Sequence, residues 1–184
     1  MANKLAENKP VNLLQVIHVR SEEDAADVRI LVGEYIEWLK QRYPDDRDTV
    51  ETYFKAQGLD TQLRDLLAIF RPPKADCLLA RLNGDAAGVV MLKSHSEESC
   101  EMNRMFVRPS SRGHGIGKAL VAELLDTARK LGYRRMLLAA GPQHHEATAL
   151  YRNFGFIEDK SLPDTGAGEL EVRMVKYLTA STQT

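Results

Sequence analysis

Residues 101–120 change character twice within one short stretch: Glu-Met-Asn-Arg-Met-Phe-Val, then Arg-Pro-Ser-Ser-Arg-Gly-His-Gly-Ile-Gly, then Lys-Ala-Leu. The first part has strand composition, the second is a glycine-rich turn, and the third opens a helix. No other segment restricts the fold as much, because a strand must hand the chain to a helix through a loop almost bare of side chains. Gly113, Gly115 and Gly117 leave backbone N–H groups uncovered. A helix starting there adds unpaired N–H donors and the positive end of its dipole. Arg108, Arg112, His114 and Lys118 add charge or donors close by. The stretch therefore reads as a phosphate or pyrophosphate site built mostly of backbone.

Spacing excludes two common phosphate loops. A Walker loop ending at Gly117-Lys118 needs glycine where Arg112 stands, and a hydroxyl where Ala119 stands. A G-x-G-x-x-G fingerprint counted from Gly113 ends on Lys118, and counted from Gly115 it ends on Leu120. The preceding strands also form a meander rather than a βαβ unit.

The flanking chain supplies the rest of the architecture. Val11 to Val19 reads as a strand. Ser21 with Asp24 caps a helix whose apolar face is Val28, Leu31, Val32, Tyr35, Ile36 and Leu39, ending at Tyr43-Pro44-Asp45-Asp46. A second helical region runs from Asp48 to Phe70, interrupted near Gly58, and Arg71-Pro72-Pro73 breaks it. The period then becomes that of strands. Cys77–Leu82 and Ala86–Lys93 flank an Asn83-Gly84 hairpin turn, and a third strand ends at Val107. An amphipathic helix, Ile116 to Leu131, is closed by Gly132. A strand (Tyr133 to Ala140), a short helix (His145 to Phe154) and strands at Phe156–Asp159 and Glu169–Tyr177 complete the order, with Leu162 to Gly168 as a loop.

Three blocks in this order resemble the GNAT superfamily of N-acetyltransferases. Arg112-x-x-Gly115-x-Gly117 is similar to the family's pyrophosphate-binding signature. Glu101-Met102-Asn103-Arg104-Met105-Phe106-Val107 is similar to its preceding strand, and Ala147-x-x-Leu150-Tyr151-x-x-x-Gly155-Phe156 to its later segment. The resemblance covers Val11 to Leu178. It implies an α/β (α+β) fold with a mixed, mostly antiparallel central sheet of roughly six to seven strands, helices on both faces and a splayed parallel strand pair. It further implies a single N-acetyltransferase domain over 11–179, between tails at 1–10 and 180–184.

What the resemblance implies chemically is acetyl transfer from acetyl-CoA to a primary amine by direct attack in a ternary complex. The cofactor-binding set would be Met105, Phe106 and Val107 along the strand, then Arg112, Gly113, His114, Gly115, Ile116, Gly117 and Lys118 around the turn. Glu101 is the candidate base, and even separation from Val107 would put both on one strand face. Tyr151 is the candidate acid for the leaving thiolate. Tyr35, Trp38, Tyr43, the Asp45–Asp48 turn, Tyr53, Phe54 and the 162–168 loop would line the acceptor site. Their aromatics and carboxylates suit a small amine, amino-acid-like or polyamine-like. A protein or peptide acceptor, or a non-catalytic acetyl-CoA-binding regulatory module, are the alternatives. A homodimer is compatible with the resemblance.

Composition narrows the partners. A formal net charge of −1 gives no global attraction to nucleic acid. Cys77 and Cys100 stand in no metal-ligand spacing and read as buried thiols of a reducing compartment, and His144-His145 lacks companions at ligand spacing, so no metal is expected. The polar start and the lack of a long apolar run predict a cytoplasmic protein with no membrane segment.

Overall fold

The computed structural model describes residues 13–141, 143–162 and 171–178, so the expected tails at 1–10 and 180–184, and most of the 162–168 loop, lie outside the described residues. In chain order the elements are β1 (Leu14–His18), α1 (Glu22–Arg42), α2 (Arg47–Ala56), α3 (Leu59–Arg64), α4 (Leu66–Ile69), β2 (Asp76–Leu82), β3 (Asp85–Ser94), β4 (Ser99–Val107), α5 (Ile116–Lys130), β5 (Arg135–Ala140), α6 (His145–Asn153), β6 (Ile157–Glu158) and β7 (Val172–Tyr177). They form a seven-stranded sheet in the order β1-β2-β3-β4-β5-β7-β6. Every pairing is antiparallel except β4–β5. This is the mixed, mostly antiparallel sheet with one parallel pair that the resemblance implies.

Local chemistry accounts for the boundaries. Ser21 Oγ accepts the Asp24 N–H at 3.1 Å and starts α1. Asn83 and Gly84 both take positive φ, 55° and 93°, which is the turn a two-residue hairpin requires. The helical region expected between Asp48 and Phe70 is three helices. Gly58 at φ 66° breaks it once, and the chain breaks again at Asp65.

The sheet separates two cores. On one face α5 lays Ile116, Leu120, Leu124 and Ala128 against Leu78, Val90, Leu92 and Met102. On the other, α1 to α4 pack Val28, Leu31, Phe54 and Leu66 over Leu79, Val89, Met91 and Phe106. Burying such side chains contributes about 1.5–3 kcal/mol each. Arg108 ties α1 to the sheet. It donates through Nε and Nη2 to the two Glu34 carboxylate oxygens at 2.7 Å each, and through Nη1 to the Ala86 carbonyl. The charge that the sequence places beside the glycine turn is thus committed to clamping α1 onto the β3–β4 end.

Candidate active site

β4 carries one extra residue. Its register with β3 runs Gly88↔Val107 and Val89↔Phe106, then jumps to Met91↔Asn103 and Lys93↔Glu101. One β3 residue, Val90, therefore faces two on β4, Arg104 and Met105, a bulge at Arg104, whose φ is 54°. The bulge shifts the alternation of side chains. Glu101 sits opposite Lys93 and Val107 opposite Gly88, and those two β3 positions are an odd number apart. Glu101 and Val107 consequently lie on opposite faces, which corrects the parity expected of a regular strand. Glu101 and Arg104, an odd number apart, are brought to the same side. Their charges interact, whereas a regular strand would part them.

β4 also leaves its other neighbour. Parallel pairing to β5 holds only for Ser99↔Arg135, Cys100↔Met136 and Glu101↔Leu137. Beyond Glu101 the strands diverge, and a cavity of about 1110 Å³ occupies the gap. Its walls include Glu101 to Val107 of β4, Leu138 to Ala140 of β5, the turn before α5, and the aromatics of α1 and α2.

The cavity brings together Met105, Phe106, Val107, Arg112, Gly113, Gly115, Ile116, Gly117 and Lys118, and also Glu101 and Tyr151. At Gly113 and Gly115, with φ 83° and 79°, the space that a Cβ would take is open. The loop thus presents bare backbone, in a left-handed conformation that side-chain-bearing residues adopt at a cost. A Cβ on Gly117 would instead press on Leu150 of α6 at 3.2 Å. His114 is not among the lining residues. Its Nδ1 lies 3.1 Å from the carbonyls of Ser111 and Arg112. A carbonyl only accepts, so that nitrogen carries the proton and the side chain braces the turn.

Arg112 is turned toward α1. Its guanidinium lies 5.1 Å from the Trp38 ring centre and its Nε donates to the Val107 carbonyl at 3.3 Å. Arg42 approaches the same ring at 5.5 Å, and the His144 ring lies 5.3 Å away. Burial, with Arg42 nearby, pushes His144 down to about 4. Its Nε2 is buried without a hydrogen-bond partner. Sequence reasoning gave His144 no role beyond its neighbour His145, and only the fold reveals this cluster of cations around one indole.

Tyr151, from α6, is buried, packs edge-to-face with Phe156 at 5.9 Å between ring centres, and lines the cavity. Burial raises its phenol well above the ordinary value, so the hydroxyl keeps its proton. Tyr35 is likewise raised by burial, to about 12. Glu101, on the cavity wall, makes an ion pair with Lys93 at 3.3 Å. Tyr35, Trp38, Tyr43, Asp46, Asp48, Tyr53 and Phe54 line the part of the cavity under α1 and α2. Sequence reasoning gave no role to Asn103, Arg104 or Glu171, which also line it. Among the described residues no group of three His, Cys, Asp or Glu side chains is arranged to hold a metal ion. Among them, too, no helix is long and apolar enough to cross a membrane.

A family model described as "Acetyltransferase (GNAT) family" matches residues 30–156. An uncharacterized N-acetyltransferase of Schizosaccharomyces pombe is 33% identical over 150 residues, covering 80% of this chain and 85% of that protein. An uncharacterized N-acetyltransferase of Escherichia coli is 30% identical over 123 residues, covering 65% and 74%. The crystal structure of the PaiA N-acetyltransferase of Thermoplasma acidophilum in complex with coenzyme A superimposes with a TM-score of 0.67 at 18% identity, covering 90% of this chain and 99% of that one.

Proposed function

The chain belongs to the GNAT family of acetyltransferases, and from that premise we propose that it moves an acetyl group from acetyl-CoA to the primary amine of a small molecule. The observation that carries this reading is the opening between β4 and β5. It begins at Glu101 and runs, as one cavity, to the bare glycine turn. A carboxylate, a protonated phenol, free strand edge and an anion cradle thus share one cavity.

Acetyl-CoA supplies an acyl carbon activated by a thiolate leaving group. The backbone of Gly113, Gly115 and Gly117, with the first turn of α5, would hold its diphosphate, aided by Lys118. Backbone groups of Met105, Phe106 and Val107 have no β5 partner, which leaves them to hold the pantetheine arm. One such N–H aimed at the carbonyl oxygen stabilises developing negative charge by on the order of 3 kcal/mol. An alkylammonium is unreactive until it loses a proton, and Glu101, directly or through water, accepts it. Tyr151 holds its proton at neutral pH and gives it to the departing sulfur. The aromatic walls under α1 and α2 favour a small acceptor over a polypeptide.

The test is release of coenzyme A thiol with a panel of small amines, peptides and protein N-termini. Turnover confined to small amines supports the proposal. Turnover confined to peptides, or tight acetyl-CoA binding with no turnover on any amine, overturns it.

A further inference from the structure

Arg104 is 6% exposed and lies on the cavity wall. Its guanidinium stacks over Phe54 at 5.1 Å, and Nη2 donates to the Gln62 side-chain oxygen at 3.2 Å. Gln62 is fixed for this role because its amide nitrogen donates to the Gln57 carbonyl at 2.7 Å. Among the described residues no other contact satisfies the cation, and Glu101 acts on it only from beyond ion-pair distance. Arg104 Nε is buried with no hydrogen-bond partner, and among the described residues no carboxylate reaches ion-pair distance. Its neighbour Asn103 has both side-chain polar atoms buried and unpartnered, on the same wall. Burying a charge without a counter-charge is costly, and burial accordingly lowers the guanidinium from its ordinary value. The strand adds to that cost by holding Arg104 at a positive φ.

These features have a common explanation. We infer that Arg104, with Asn103, is the receptor for a carboxylate of the acceptor, so that the enzyme acetylates amines of the amino-acid class rather than polyamines or simple amines. This rests on the proposed function and specifies its substrate. The β4 bulge puts Glu101 and Arg104 on one wall. An anionic side chain thus faces the ammonium and a cationic fork faces the carboxylate, matching a zwitterion end to end. The other buried acid of the cavity, Glu171, has a side chain 3% exposed and is near Arg173 at 3.8 Å. Asp46 and Asp48 are exposed, where solvent screens them. The buried charge left without a counter-charge in contact is therefore positive, which repels a polycation and draws an anion.

The experiment uses the full chain with three amino acids (glutamate, methionine, phenylalanine), each paired with its carboxamide. Thiol release gives kcat/KM, and calorimetry with coenzyme A present gives binding. The wild-type enzyme should favour the acids, and Arg104→Met should cut kcat/KM for acids by roughly 100-fold, mostly through KM. Loss on the amides should be under about threefold, with acetyl-CoA affinity unchanged. Arg104→Lys keeps the charge without the fork and should fall between; it also serves if the methionine variant melts early. Equal wild-type rates on acids and amides overturn the carboxylate site while leaving N-acetylation intact. So does an equal loss on both by the variants. Acids bound through Arg104 but never acetylated would uphold the carboxylate site and overturn the transfer reaction. No binding and no turnover of any acid overturns the site.

Discussion

Gly88 offers a direct test of how the proposed cofactor cradle is positioned. It lies in β3 between Ala80 of β2 and Val107 of β4. A Cβ there would stand 3.0 Å from the Phe106 carbonyl oxygen, 3.1 Å from Ile116 Cγ2 and 3.1 Å from Leu120 Cδ1. Ordinary contacts between such atoms are about 3.5–4.0 Å. The carbonyl belongs to a paired strand, so the relief must come from α5, which would shift by a few tenths of an ångström. Overpacking of this kind costs about 2 kcal/mol, which for a chain of this length lowers Tm by about 4–8 °C. Because Ile116 opens the first turn of α5, the same shift moves the proposed diphosphate donors. Gly88→Ala should therefore also weaken coenzyme A binding, by roughly fivefold. Thermal melts and calorimetric titration read the two effects. The double variant Gly88→Ala, Leu120→Ala should lose less stability than the sum of its parts, by about 1 kcal/mol, because the truncation makes room for the methyl. Gly115→Ala is the contrast. Its Cβ meets nothing, but its φ of 79° imposes a penalty of about 1–2 kcal/mol that truncating Leu120 cannot relieve. A Gly88→Ala protein melting within about 1 °C of wild type, with unaltered coenzyme A affinity, would refute the argument that this contact sets the cradle.

Tyr151→Phe should lower kcat by about 100-fold or more with little change in Tm, since only a hydroxyl leaves a buried ring; an unchanged kcat would remove the acid role. Glu101→Gln should lower kcat/KM most at neutral pH, and raising the pH, which deprotonates free amine, should restore part of the rate; a uniform loss across pH would point to positioning instead. His144 has a folded value of about 4, below the unfolded one. The unfolded chain therefore binds the extra proton between those values, and stability should fall as pH drops from about 6.5 toward 4. Imidazole NMR should show His144 titrating near the lower limit, and His144→Asn should flatten this part of the Tm profile. Arg108→Ala removes a two-pronged ion pair and a backbone contact between α1 and the β3–β4 end, for about 1–2 kcal/mol, and leaves the backbone cradle in place; double-mutant analysis with Glu34→Gln should recover a coupling between them.

Local signals carried the architecture. The glycine turn, the Asn83-Gly84 hairpin, the Ser21 cap and the apolar face of α5 are short-range features whose chemistry can be read in order. The family blocks then implied the parallel pair. What stayed hidden is set by contacts far apart in sequence or by one irregular residue. Arg108 meets Glu34, 74 positions away, and no pattern in either segment announces it. Arg112 faces Trp38 only because α1 crosses the β4 end. The parity argument for Glu101 and Val107 assumed a regular strand, and one residue at positive φ was enough to reverse it. Arg104, read alone, is an ordinary strand arginine; its burial comes from α2 and α3 folding over it.

That single inserted residue has consequences at both ends of the cavity. Ahead of it, Glu101 is the last β4 residue still paired to β5, and its side chain is only 17% exposed. Past it, Phe106 packs under α1 while Met105 and Val107 turn toward α5. A regular strand would keep Glu101 on the face of Met105 and Val107, and Arg104 on the face opposite Glu101. The proposed base and the buried cation would then look into different cores. With the bulge, acid and cation share one wall and the backbone beyond them runs along the splay to the glycine turn. The strained φ at Arg104 is thus the local cost of an arrangement in which the proposed sites of acceptor recognition, proton removal and cofactor binding occupy consecutive stretches of one strand.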